Sequence, residues 1–272
     1  MSRLQQRLEH CAAEGRAALI PYLTGGDPEP AATPALMHAL VEGGADILEL
    51  GVPFTDPMAD GPTIQLACER ALAAGTTVTH VLDAVRAFRE RDADTPVVLM
   101  GYLNPMIRSS AERFCADAAD AGVDGVLAVD LTVEEADTLQ PALQAQGLDC
   151  IFLLAPTTSP ERARRMSETG SGYLYYVSLK GVTGSAALDA QAVADKLASL
   201  REVVTLPLAV GFGIRDAADA EKVAASADGV VVGSALVELI AKAGRGDDTL
   251  PATLRDAAAK LRQGVEAARA RR

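Results

Sequence analysis

One acidic residue stands where an acid is costly. In the segment DILELGV (46–52), strand alternation puts Ile47, Glu49 and Gly51 on one face and Leu48 and Leu50 on the other. Glu49 is then a carboxyl among apolar neighbours near the end of a strand. Desolvation there raises its pKa toward the range useful for proton transfer. A carboxylate paired with a basic side chain from another strand would leave the same sequence pattern. The loop that follows, GVPFTDPMADGPTIQ (51–65), holds Asp56 and Asp60 among three prolines and two glycines that stiffen its backbone. Asp56, directly before Pro57, reads as a turn or cap acid. Asp60 is more open, because Gly61 can serve as the cap of the next helix and leave the Asp60 side chain beside Glu49.

Three glycine-rich turns come late in the chain: GVTG (181–184), GFGI (211–214) and GSAL (233–236). Gly213 permits close approach of the backbone to an anion. Gly233-Ser234 opens a helix with free N–H groups and a hydroxyl donor, which suits a phosphate. The segment GYLYYVS (172–178) sets Tyr173, Tyr175 and Val177 on one face, where buried tyrosines commonly serve as core. After it, SLKGVTGSAALD (178–189) has few apolar anchors, as a mobile lid or an ordinary surface loop would.

The elements that must carry these residues recur with a βα rhythm. Short Val/Ile/Leu-rich runs fall at 17–23, 46–52, 96–102, 124–129, 149–155, 172–178, 207–212 and 228–233. Most are followed by a turn and a helical stretch. Eight runs, apolar on both faces, match the count and size of a single-domain (β/α)8 barrel spanning 1–272; a doubly wound open sheet is the alternative. Residues 2–14 predict an extra N-terminal helix that could plug the barrel bottom, and 251–270 a final helix. Asp27 before Pro28 and Ser159 before Pro160 read as helix caps, and Thr132 with Glu135 as a capping box. In a barrel, GFGI and GSAL fall after strands 7 and 8, where phosphate sites are built.

Composition narrows the function. The chain has 272 residues, 49% hydrophobic and 23% charged, which supports a packed core rather than disorder. A net charge of -12 argues against nucleic acid and anionic membrane surfaces. Cys11, Cys68, Cys115 and Cys150 form no metal or disulfide pattern and suit reduced thiols in a cytoplasm. No signal-peptide core and no membrane span is expected.

The motifs PYLTGGDP (21–28), GADILELGVPFTDPMADGPTIQ (44–65), GYLNP (101–105), GVDGVLAVDL (122–131), GVTG, GFGI and GSA together resemble the tryptophan synthase α subunit family across nearly the whole chain. The resemblance implies a (β/α)8 barrel that cleaves indole-3-glycerol phosphate to indole and glyceraldehyde 3-phosphate without cofactor or metal. Indole would pass to a pyridoxal-phosphate β subunit, in an α2β2 heterotetramer. It implies Glu49 as catalytic acid/base and Asp60 as hydrogen-bond partner of the indole N–H. Tyr22, Met100, Tyr102, Leu127, Leu153 and Tyr175 match the active-site lining, and Gly184, Gly213, Gly233 and Ser234 the phosphate site. Thr183 matches a lid residue that meets Asp60 on closure. The Asp56-Pro57-Met58 loop and the segment around Asn104 and Pro105 resemble β-subunit contacts. Leu179-Lys180, where some relatives carry arginine, and Thr132, where proline is common, depart from the pattern.

Two other readings fit parts of the sequence. One is a different phosphosugar barrel enzyme, isomerase or aldolase, although the apolar lining suits an aromatic ring and a Schiff-base aldolase wants a buried strand lysine. The other is a non-catalytic barrel that activates a β subunit.

Overall fold

The computed structural model describes residues 2–177, 190–211 and 213–271. Nine parallel strands form one sheet: β1 (Ala18–Thr24), β2 (Leu48–Gly51), β3 (Val97–Gly101), β4 (Gly125–Ala128), β5 (Asp149–Cys150), β6 (Phe152–Leu154), β7 (Leu174–Val177), β8 (Leu208–Gly211) and β9 (Gly229–Val232). Their order is β5-β4-β3-β2-β1-β9-β8-β7-β6. The two ends of that order, β5 and β6, are consecutive in the chain. Their shared segment closes the ring, pairing with β4 on one side and β7 on the other. The run expected at 149–155 is thus one barrel stave broken at Ile151, so nine strands fill eight positions and the barrel reading holds.

Strand residues split into two apolar sets, as alternation requires. Leu19, Leu48, Leu50, Leu99, Val126, Leu174, Val210 and Val230 face the surrounding helices. Ala18, Ile20, Ile47, Val98, Leu127, Ile151, Tyr175, Ala209 and Val231 face inward. The N-terminal helix Arg3–Ala13, capped by Ser2 on the Gln5 N–H, inserts Leu4, Leu8 and Cys11 into the inner set. Its N-terminal end is pinned by Ser2 Oγ donating to Asp149 and by Arg3 paired with Asp124. This is the expected plug.

The strand starts share a device. Asp46, Asp124 and Asp228 each stand just before a strand and accept an N–H from the first two residues of its neighbour, from Leu19, Val97 and Leu208 at 2.8, 2.8 and 2.9 Å. Each is also paired with arginine: Asp46 with Arg16 and Arg262, Asp124 with Arg89 and Arg3, Asp228 with Arg201. A charged acceptor on a strand's free N–H fixes register at the bottom of the barrel.

Helix starts agree with the sequence at Ser159, whose side chain accepts from the Arg162 N–H, and the final helix runs Leu250–Ala267. Two capping expectations are corrected. Thr132 and Glu135 do not form a capping box: their side chains meet at 3.4 Å, but the Glu135 N–H donates to the Thr132 carbonyl and not to its hydroxyl, because Val133–Thr138 is a 3-10 helix and Glu135 has non-helical angles. Asp27 caps no helix. Its carboxylate is fully buried and takes both guanidinium donors of Arg70 at 2.8 and 2.7 Å. That pair ties the first βα loop to the helix Pro62–Ala73. The four cysteines are buried free thiols. Among the described residues no helix is long and apolar enough to cross a membrane.

Candidate active site

Glu49 lies two residues from the C-terminal end of β2, in register with Tyr22 of β1 and Val98 of β3. Its side chain is fully buried. The Tyr173 hydroxyl donates to Oε1 at 3.2 Å, while Oε2 is buried with no hydrogen-bond partner among the described residues. The partner is therefore a phenol, not the basic side chain that was the competing possibility. Burial pushes the Glu49 carboxyl from 4.5 up to about 8, against the lowering effect of Tyr173 and with a further push from Asp60. A buried acid with one unpaired oxygen is poised to exchange a proton with a ligand.

Asp60 arrives from the following loop. Gly61 is the N-cap of Pro62–Ala73, so the Asp60 carboxylate is free of capping duty, as expected. Tyr102, at the end of β3, donates its hydroxyl to Asp60 Oδ2 at 2.8 Å and accepts the Ala59 N–H at 2.8 Å. Phe54 packs against the Tyr102 ring with centroids 5.3 Å apart. Burial raises the Asp60 pKa and the Tyr102 hydrogen bond offsets part of that rise. Asp56 is exposed; its side chain accepts from Thr55 and its carbonyl from the Met58 N–H, in line with a turn role.

The apolar residues converge on the same end. Met100 is the register partner of Leu127, and Leu153 that of Tyr175; all four belong to the inner set. Tyr22 packs with Ile64, Ala67, Met100 and Val237. Two glycines make the tyrosines fit: a Cβ on Gly51 would collide with the Tyr22 hydroxyl, and one on Gly211 with the Tyr175 hydroxyl. Neither relation was read from sequence, although both glycines end strands. Tyr173 was also passed over as core. Alternation already placed it on the face of Tyr175, which was the available signal.

On the other flank of β1, at the end of β9, Gly233 is the N-cap of the helix Ser234–Ala243 with no side-chain cap on it. An open helix start with Ser234 at its first position offers donors to an anion. Gly213 has φ +78° and open space where a Cβ would be. Gly233 is near Tyr22, whose ring lies 3.5 Å from the position of a Cβ there, so the turn adjoins the apolar lining. Thr183, Gly184 and the whole expected lid (178–189) lie outside the described residues. Among the described residues no group of three His, Cys, Asp or Glu side chains could hold a metal ion.

Buried acids gathered at the C-terminal mouth of a closed parallel ring place the protein in the class of (β/α)8 barrel enzymes. Comparison with known proteins sharpens this. The family model for the tryptophan synthase alpha chain matches residues 8–266. The alpha chains of Halorhodospira halophila and Marinobacter nauticus are 55% and 56% identical over 266 residues, covering 98% of this chain and 97% and 98% of theirs. The crystal structure of tryptophan synthase subunit alpha from Legionella pneumophila superposes with a TM-score of 0.92 at 43% identity, over 98% of this chain and 99% of that one. A chain of tryptophan synthase from M. tuberculosis, in an aminoacrylate-bound form, gives 0.86 at 40% identity, over 97% of this chain and all of that one. The chain belongs to the tryptophan synthase alpha chain family. It is a lyase that cleaves indole-3-glycerol phosphate.

Proposed function

We propose that Glu49 and Asp60 carry the chemistry of that cleavage, with the whole chain acting as one barrel domain. The reaction breaks the bond between indole C3 and the C3' carbon of the glycerol chain. C3 must first gain a proton, with the nitrogen lone pair feeding the ring and leaving an iminium. The C3' hydroxyl then loses its proton, its C–O bond becomes a carbonyl, and the C–C electron pair returns to the ring and neutralises the iminium. Glu49, protonated at neutral pH by its burial, supplies the first proton; the carboxylate so formed accepts the second. Asp60, held by Tyr102, accepts the indole N–H and stabilises the charge that develops on nitrogen. The single observation that carries this reading is the buried Glu49 carboxyl with its unpaired Oε2.

Tyr22, Met100, Leu127, Leu153 and Tyr175 would enclose the indole ring, with the Tyr102 ring beside them. Gly184, Gly213, Gly233 and Ser234 would take the phosphate, and Thr183 would meet Asp60 when the site closes. No step in this scheme calls for a cofactor. Pyridoxal phosphate belongs to a β subunit, with which the chain forms an α2β2 complex in the cytoplasm. The exposed Met58 (85%) and Leu66 (53%), on the acidic loop and the helix after it, suit such a partner at the barrel mouth.

The test is indole release from indole-3-glycerol phosphate by the purified chain, alone and with a β subunit, for native protein, Glu49→Gln and Asp60→Asn. Native release enhanced by the β subunit and lost in both variants is expected. A native chain that releases no indole, yet still stimulates the β reaction, would make it a non-catalytic activator.

A further inference from the structure

We propose that Asp130 is a positioning residue for cleavage, holding Tyr102, and through it Asp60, in working geometry. The inference rests on the catalytic reading of Asp60 above. Asp130 sits in the turn after β4, and its Oδ1 accepts the backbone N–H of Leu103 at 2.7 Å, a contact between residues 27 apart in sequence. Leu103 begins a helix of only five residues, Leu103–Ile107, and Tyr102 is its N-cap residue without a side-chain cap of its own. So short a helix does not hold itself together; its geometry depends on tertiary anchors. One anchor is Met106, buried in the core. The other is the Asp130 carboxylate, adjacent to the residue whose hydroxyl meets both Asp60 and the Ala59 N–H.

The loops after β2, β3 and β4 are thus stitched in series. Asp130 fixes the start of the 103–107 helix, that start fixes the Tyr102 backbone, and the Tyr102 hydroxyl fixes the acidic loop. Asp130 is itself exposed and lines no part of the apolar pocket, so it acts only through its neighbours. The titratable groups that interact with Asp60 are Glu49, Tyr22, Tyr102, Tyr175 and Cys68.

The experiment compares Asp130→Ala, Asp130→Asn and Tyr102→Phe, singly and combined, in steady-state indole release across pH, with the full chain and the β subunit. Losing a charge-assisted hydrogen bond predicts a fall in kcat of about tenfold for Asp130→Ala with little change in KM. The acidic limb of kcat/KM moves to higher pH, as it does for Tyr102→Phe, since in both the hydrogen bond that favours ionised Asp60 is loosened. Asp130→Asn keeps an acceptor oxygen and restores the native limb. In the Tyr102→Phe background, Asp130→Ala causes no further shift. If Asp130→Ala does not fold, Asp130→Glu, which displaces the acceptor, carries the same expectation. A native limb in Asp130→Ala, or a shift that adds to that of Tyr102→Phe, overturns the proposal. Asp60→Asn separates the two levels: if it is active, the catalytic reading falls and this inference with it. If it is inactive while Asp130→Ala behaves as native, only the role of Asp130 falls.

Discussion

Replacing Glu49 by Gln should make the protein more stable, and by an amount that depends on pH. Gln keeps the shape and can still accept the Tyr173 hydroxyl, but it cannot ionise. In the native chain the Glu49 carboxyl titrates at about 8, against 4.5 when exposed. Below pH 4.5 both folded and unfolded chains are protonated there, and the residue contributes no pH dependence. Between 4.5 and 8 the unfolded chain releases the proton while the folded chain retains it, so native stability falls by about 1.4 kcal/mol per pH unit. Above pH 8 both states are ionised and the loss levels off at roughly 5 kcal/mol. Urea unfolding of native protein and Glu49→Gln at pH 4.5, 6, 7 and 8.5 measures this, because the shifts of groups that do not interact with Glu49 cancel in the difference. The two curves should meet at pH 4.5 and separate steadily to pH 8, with the variant more stable. A difference that stays constant with pH would refute the assignment of a buried, proton-retaining Glu49.

Three further perturbations follow from contacts already described. Arg70→Ala strands the fully buried Asp27 carboxylate and should cost about 3–5 kcal/mol of stability at neutral pH, read as a lowered urea midpoint. Gly51→Ala drives a methyl into the Tyr22 hydroxyl and should cost about 1–3 kcal/mol while cutting indole release, since the displaced ring lines the proposed pocket. Ser234→Ala removes a hydroxyl donor from the proposed phosphate turn; KM for indole-3-glycerol phosphate should rise about three- to tenfold with kcat nearly unchanged, whereas a kcat effect alone would place the phosphate elsewhere.

Much of the fold was legible because a barrel stave buried on both faces leaves a local mark: a short Val/Ile/Leu run. Each of the eight runs became a stave. The break at Ile151 left no such mark, since residues 150–155 are uniformly apolar and the interruption is imposed by pairing with β4 on one side and β7 on the other. The Thr132 capping box failed for a related reason. Its spacing was right, but the segment winds as a 3-10 helix, where Glu135 departs from helical angles. At the site, Glu49 and Asp60 stood out by type and position. Their partners did not, because Tyr173 is 124 residues from Glu49 and Tyr102 is 42 residues from Asp60, and only barrel closure brings them together. Asp27 misled because an acid before a proline looks like a cap, whereas its partner Arg70 lies one helix away.

The N-terminal plug gives the barrel a floor. With Leu4, Leu8 and Cys11 packed into the inner cluster, the N-terminal helix covers the lower end, and the proposed site faces the rim that bears Asp60, Tyr102 and the Gly233 turn. On the proposed reading, substrate and both fragments share that rim, so indole and the next substrate use one approach. A β subunit seated on that rim, as proposed above, would meet indole where it emerges. The eleven residues of Arg3–Ala13, far from any bond that breaks, thereby cover the end of the barrel that the proposed chemistry does not use.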